Sequence, residues 1–139
     1  MSKYPCLHSD NYESWKIRGV NLGGLFVLEP WITPSLFYQF LNKKDYKEMA
    51  MDMYTFCKVL GPKEGKRQLN EHFQQWVNET DIINLSKRKV THVRLPVGDW
   101  MFIPYEPYIG CTDDAIHYMD RILQWCHKYS IRVLIDLHG

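Results

Sequence analysis

Four side chains stand where they could act on a ligand. Glu29 ends the apolar run of "IRGVNLGGLFVLEP" (residues 17–30), Arg94 lies near the end of "VTHVRLPV" (90–97), and Asp136 and His138 close "IRVLIDLHG" (131–139). A carboxylate accepts hydrogen bonds, a guanidinium offers a rigid fork of donors, and an imidazole changes charge near neutral pH. Glu29, set directly before Pro30 and Trp31, is either an ordinary solvated loop acid or a group held in place for a ligand. For Arg94 the plainer alternative is one half of an ion pair at a strand end, and for His138 a satisfied structural histidine. Asp136 shares strand parity with His138, which would let it support either the histidine or Arg94.

Other chemistries find little to work with. His72, His92, His117 and His127 show no HExxH or comparable ligand spacing, and they read as surface or packing residues with no metal. The four cysteines (Cys6, Cys57, Cys111, Cys126) form no CxxC pair, which argues against a zinc ribbon or redox motif. Two disulfides are arithmetically open, but Cys57 and Cys126 fall on apolar helical faces, where a free thiol acts as a small hydrophobe. A formal charge of +1, from 17 basic and 16 acidic side chains, gives no footprint for nucleic acid or anionic lipid. No run approaches the ~20 apolar residues that span a bilayer. The opening "MSKYPCLHSDNYESWK" shows no apolar stretch that would read as a secretory signal.

The elements that must position these groups follow from pattern. After a polar arm over 1–16, "IRGVN" predicts a short strand ended by Gly23 and Gly24, and residues 22–42 an ordered, aromatic, proline-marked loop. A helix is expected over 45–60, with Asp45 and Glu48 as capping box, Met49, Met53, Phe56, Cys57 and Leu60 on one face, and Gly61 as its stop. A second should carry Leu69, Phe73 and Trp76, and a third should start at the "NETD" capping box of Asn78 and reach about Arg88. The strand at 90–97 comes next, then a helix capped by Thr112 with Ile116, Met119, Leu123 and Cys126 inward, then the strand at 131–139. Near-continuous apolar strands separated by helices predict a parallel sheet covered by helices. Ligands sit at the carboxyl ends of such strands, where Arg94, Asp136 and His138 fall. A two- or three-stranded parallel sheet leaves bare edges, and no helix follows "DLHG", so the chain reads as cut rather than finished.

Five blocks carry a family likeness. "IRGVNLGGLFVLEPWITPSLF", "HFQQWVNETDI", "VTHVRLPVGDWMF", "PYIG" and "IRVLIDLHG", in that order from Ile17 to Gly139, resemble the exo-β-1,3-glucanases of glycoside hydrolase family 5. The resemblance implies an α/β fold, a (β/α)8 TIM barrel that hydrolyses β-1,3-glucan from the non-reducing end with retention, using two glutamates and no cofactor. Such barrels take about 250 residues, so residues 17–139 would form roughly the first three βα units, truncated after the third strand. By the same likeness Arg94 matches the barrel arginine of the second strand, His138 the histidine closing the third, and Glu29 the acid that binds the −1 sugar. Trp31 and Trp100 would suit stacking on a sugar face, Trp31 being as well suited to packing. Leu25 stands where the family commonly has an aromatic, and Asp99 where it has Tyr.

No catalytic residue is expected within the chain. The family's acid/base glutamate follows an Asn in an "NEP"-like motif after the fourth strand, and its nucleophile lies on the seventh, both beyond Gly139. "NET" at 78–80 is a look-alike whose position makes it a helix cap. The resemblance thus implies a β-1,3-glucan or laminari-oligosaccharide as ligand and a chain inactive by itself. The alternatives are a non-catalytic β-glucan-binding module or one piece of a split barrel, its remaining strands supplied by another chain.

Overall fold

A computed structural model describes residues 16–138 of the chain; the arm before Lys16, with Cys6, and the terminal Gly139 lie outside the described residues. Strands β1 (Gly19–Asn21), β2 (His92–Gly98) and β3 (Arg132–His138) form a parallel sheet in that order. Helices α1 (Pro34–Phe37), α2 (Met53–Gln75), α3 (Glu79–Lys87) and α4 (Ala115–Lys128) occupy the connections. The architecture is α/β, as expected.

The period of two along β2 divides the sheet into unlike faces. Val93, Leu95 and Val97 are completely buried in one hydrophobic core with Phe56, Leu69, Phe73, Ile82, Ile122 and Cys126 from the helices. Arg94, Pro96 and Gly98 point to the opposite face, which carries polar groups. The near-continuous apolar strand expected at 131–139 forms, yet much of it is exposed: Leu134 is 61% exposed, Ile135 48% and Leu137 66%. β3 pairs with β2 along one side only, and of its residues Val133 is the one packed against the core. An apolar run does not by itself say which edge of a sheet it will occupy.

Two helix starts differ from expectation. Asp45 caps only a 3-10 turn (Tyr46–Glu48), accepting from the Lys47 amide at 2.9 Å. The reciprocal capping box belongs to Asp52 and Thr55: Asp52 Oδ1 accepts from the Thr55 amide at 2.7 Å, and Thr55 Oγ1 accepts from the Asp52 amide at 3.1 Å. α2 then runs to Gln75 across a kink at Gly61, whose φ of 72° ends the first segment as its glycine predicts, while Pro62 begins the next. α4 starts at Ala115 rather than under a Thr112 cap; the buried Thr112 turns its hydroxyl back to the Tyr108 carbonyl at 3.3 Å. Its buried line is Ala115, Tyr118, Met119, Ile122 and Cys126, with Ile116 and Leu123 partly covered. α3 begins with the expected box, Asn78 and Asp81 each accepting from the other's amide.

Cys57 is not a free thiol: it is bridged to Cys111, 54 residues away. The bridge ties α2 to the loop before α4, and Gly65 makes room for it, since a Cβ there would meet the Cys111 sulfur at 2.6 Å. Cys126 is free and buried, as its apolar face predicts, and burial pushes its thiol up to about 11.

Candidate functional site

At the carboxyl ends of the strands, on the face that no described helix core covers, four side chains from three strands form one bonded line. Asn21 on β1 is in register with Arg94 on β2, and Arg94 Nη1 donates to Asn21 Oδ1 at 2.9 Å. Arg94 is in register with Leu134, yet its long side chain leans along the strand and Nη2 donates at 2.5 Å to Oδ2 of Asp136, one pleat further on. The same Oδ2 lies 2.7 Å from Nδ1 of His138. A carboxylate only accepts, so this geometry places the imidazole proton on Nδ1 and turns Nε2 outward. The side chains of Arg94, Asp136 and His138 are 38%, 32% and 47% exposed, so the line is open to a ligand but not fully solvated.

Glu29 is delivered by a separate device. The Gly23-Gly24 turn after β1 is clamped from α2 and its C-cap: Trp76 Nε1 donates to the Gly23 carbonyl at 2.9 Å, and His72 Nε2 to the Gly24 carbonyl at 2.7 Å. Gly24 has φ of 71°, and a Cβ there would meet the Cγ2 atoms of Ile32 and Thr33 at 2.8 and 2.9 Å, so both conformation and space require glycine. His72 is buried, and desolvation holds its pKa below the usual histidine range despite its backbone partners. Leu25, Phe26 and Leu28 then anchor the loop in the core. The Glu29 carbonyl accepts from the amides of Ile32 and Thr33, both at 2.8 Å, and from Thr33 Oγ1 at 3.1 Å. The backbone under this half-buried carboxylate is therefore held from three donors, while Trp31 beside it is 77% exposed.

No family model matches the chain. Among characterised proteins, a glucan 1,3-beta-glucosidase of Blumeria graminis is 40% identical over 131 residues, 93% of this chain and 29% of the relative. Glucan 1,3-beta-glucosidase 2 of Wickerhamomyces anomalus is 42% identical over 131 residues, again 93% of this chain and 30% of the relative. The chain is similar to glucan 1,3-beta-glucosidases along nearly its whole length. It spans about 30% of the length of these glucosidases. The crystal structure of rutinosidase from Aspergillus niger shares the fold at a TM-score of 0.73 and 22% identity, covering 91% of this chain and 34% of that one.

Set beside this glucosidase likeness, the expected residues fall into three groups. Arg94, Asp136 and His138 are bonded together, and Asp136 holds both of its candidate partners at once. Glu29 and Trp31 share the loop after β1, and among the described residues neither side chain hydrogen-bonds to that line. Trp100 is a correction: it is 7% exposed and lies flat against Tyr108, with centroids 4.5 Å apart and planes 11° from parallel, so its ring is not open to stack on a sugar. The residue missed was Asn21. It closes β1 as His138 closes β3, and a polar residue at the close of a short strand was the available signal.

Proposed function

We propose that this chain is the N-terminal third of a retaining exo-β-1,3-glucanase, its three strands the first three of a (β/α)8 barrel and residues 17–139 part of one domain. The observation that carries the reading is the Asn21–Arg94–Asp136–His138 line at the strand ends of a chain so similar to glucosidases. In this reading Glu29, Arg94 and His138 bind the −1 sugar of a β-1,3-glucan, Asp136 supports Arg94 and His138, and Trp31 stacks on a sugar face. The chemistry suits the task. A retaining glycosidase builds oxocarbenium character and draws on hydrogen bonds to ring hydroxyls that strengthen in the transition state. Glu29 accepts two such bonds, Nε2 of His138 serves a third, and the guanidinium of Arg94, fixed by Asn21 and Asp136, keeps a neighbouring glutamate nucleophile ionised. Both catalytic glutamates belong to the remainder of the barrel, which would also cover the exposed Leu134, Ile135 and Leu137 of β3.

A graft tests this reading. Residues 17–138 replace the matching segment of a full-length glucan 1,3-beta-glucosidase, and laminarin turnover is measured beside that of the 139-residue chain alone. The graft should turn over laminarin, and Glu29→Ala or Arg94→Ala should each lower kcat/KM by roughly 100-fold, about 2.7 kcal/mol of transition-state stabilisation. The isolated chain should show no turnover. A folded graft that is inert, a graft indifferent to both substitutions, or an active isolated chain would each refute the assignment.

A further inference from the structure

The "NET" of residues 78–80 finds no use in the glucosidase reading, yet it has the form Asn-X-Thr with X other than proline, the acceptor pattern for N-linked glycan. Asn78 is exposed and extended (φ −120°, ψ 172°) where the chain enters α3. Its Oδ1 caps the helix by accepting from the Asp81 amide at 3.1 Å, and that cap makes no use of Nδ2. Glu79 points away, its carboxylate engaged by Lys128 and Tyr129 at 2.7 and 2.8 Å. Thr80 is exposed, and among the described residues its hydroxyl has no hydrogen-bond partner. A second tripeptide of the same form, Asn84-Leu85-Ser86, differs in this respect: the Ser86 hydroxyl is committed to the Tyr129 carbonyl at 3.3 Å, and the Asn84 carbonyl lies in the helix ladder.

An independent observation concerns the compartment. The Cys57–Cys111 bridge is buried at both ends and built into the packing by Gly65. Bridges of this structural kind form and persist in oxidising lumens and outside the cell, and are rare in the cytosol. The secretory lumen is also where the asparagine modification takes place.

We propose that Asn78 carries an N-linked glycan. The donor is a lipid-linked oligosaccharyl diphosphate. Nδ2 of Asn78 attacks C1 of its first sugar, the N–C1 bond forms as the C1–O bond to the diphosphate breaks, the lipid diphosphate leaves with the electron pair, and Nδ2 gives up one proton. Oδ1 is untouched, so the cap of α3 survives and the sugar projects from the exposed helix start.

The full chain is expressed in eukaryotic cells behind a cleavable secretion leader, and the secreted protein is digested with peptide-N-glycosidase in heavy-oxygen water. Peptide mapping should find heavy aspartate at position 78 and a Cys57–Cys111 cross-linked peptide. Asn78→Gln should remove one glycan from the gel mobility, and Thr80→Ala should do the same while keeping Asn78 and its cap, so loss of the glycan is separated from misfolding. Asn84→Gln should leave that glycan in place. An unmodified Asn78 in the secreted chain, a glycan confined to Asn84, or secretion with both Cys57 and Cys111 reduced would overturn the proposal.

Discussion

Gly98→Ala should destabilise the fold through Trp100, and the effect should vanish when Trp100 is removed. Gly98 ends β2 on the same face as Arg94 and is in register with His138. A Cβ there would fall 2.1–2.5 Å from three ring carbons of Trp100, because the turn Asp99–Met101 folds the indole back onto the strand end. Two responses compete. Expelling the ring would forfeit burial of roughly 200 Å², about 5 kcal/mol at ~25 cal/mol per Å². Keeping it demands overpacking, which costs about 1–3 kcal/mol. The second response is cheaper, so we expect Gly98→Ala to cost about 2–3 kcal/mol. Trp100→Ala alone should cost about 3–5 kcal/mol, since Trp100 lies stacked on Tyr108 and its buried Nε1 has no hydrogen-bond partner, leaving packing to hold the ring. With the ring gone the added methyl has space, so the double variant should be no less stable than Trp100→Ala, a coupling of about 2 kcal/mol or more. Urea unfolding followed by far-UV circular dichroism reads all four corners of the cycle. Additive losses, within ~0.5 kcal/mol, would show that the ring does not occupy the place of the missing side chain.

Two further outcomes follow from groups outside the bonded line. Burial lowers the pKa of His72, so the folded ring resists a proton that the unfolded chain accepts. Its contribution to stability is present above the ordinary histidine value of about 6.5 and is lost as pH falls through that value toward the depressed folded one. The melting temperature should therefore drop between pH 8 and 5, and the slope should flatten in His72→Gln, which keeps a donor for the Gly24 carbonyl; an unchanged slope would remove His72 as its cause. The Cys57–Cys111 bridge closes a loop with a sequence separation of 54. Chain entropy puts its contribution at about 4 kcal/mol, so denaturant midpoints with and without reductant should differ accordingly, and coincident curves would refute a stabilising role.

What could be read from the sequence divides by distance along the chain. The start of α3 was legible because Asn78 and Asp81, three residues apart, answer each other's amides without help. The start of α2 was misread because two such signals lie within eleven residues, Asp45 with Glu48 and Asp52 with Thr55. In the fold only the second is reciprocal, and it opens the helix that carries Met53, Phe56 and Cys57 into the core. Cys57 read as a small hydrophobe because its environment is indeed apolar, and its partner is 54 residues away. Trp100 read as a sugar platform because the aromatic alone was weighed. The glycine two residues earlier held the better clue, since a strand-end Gly98 leaves room for a ring to fold back.

The site shows the same division within a few ångströms. That Asp136 and His138 share a face follows from the period of two along a single strand, and the structure bonds them. That Asn21 joins them depends on register between strands separated by some seventy residues, which side-chain alternation in either strand leaves open. The register matters chemically. Slide β1 by one residue and Asn21 turns to the core face; Arg94 then keeps Asp136 but loses the contact that fixes its other nitrogen. The guanidinium's orientation is consequently a property of three strands together. The clamp of Trp76 and His72 on Gly23 and Gly24, directly beyond β1, is well placed to pin that register. His72 and Trp76, which lead the loop toward Glu29, would then also set the direction of Arg94, so the two halves of the candidate site share one mechanical support.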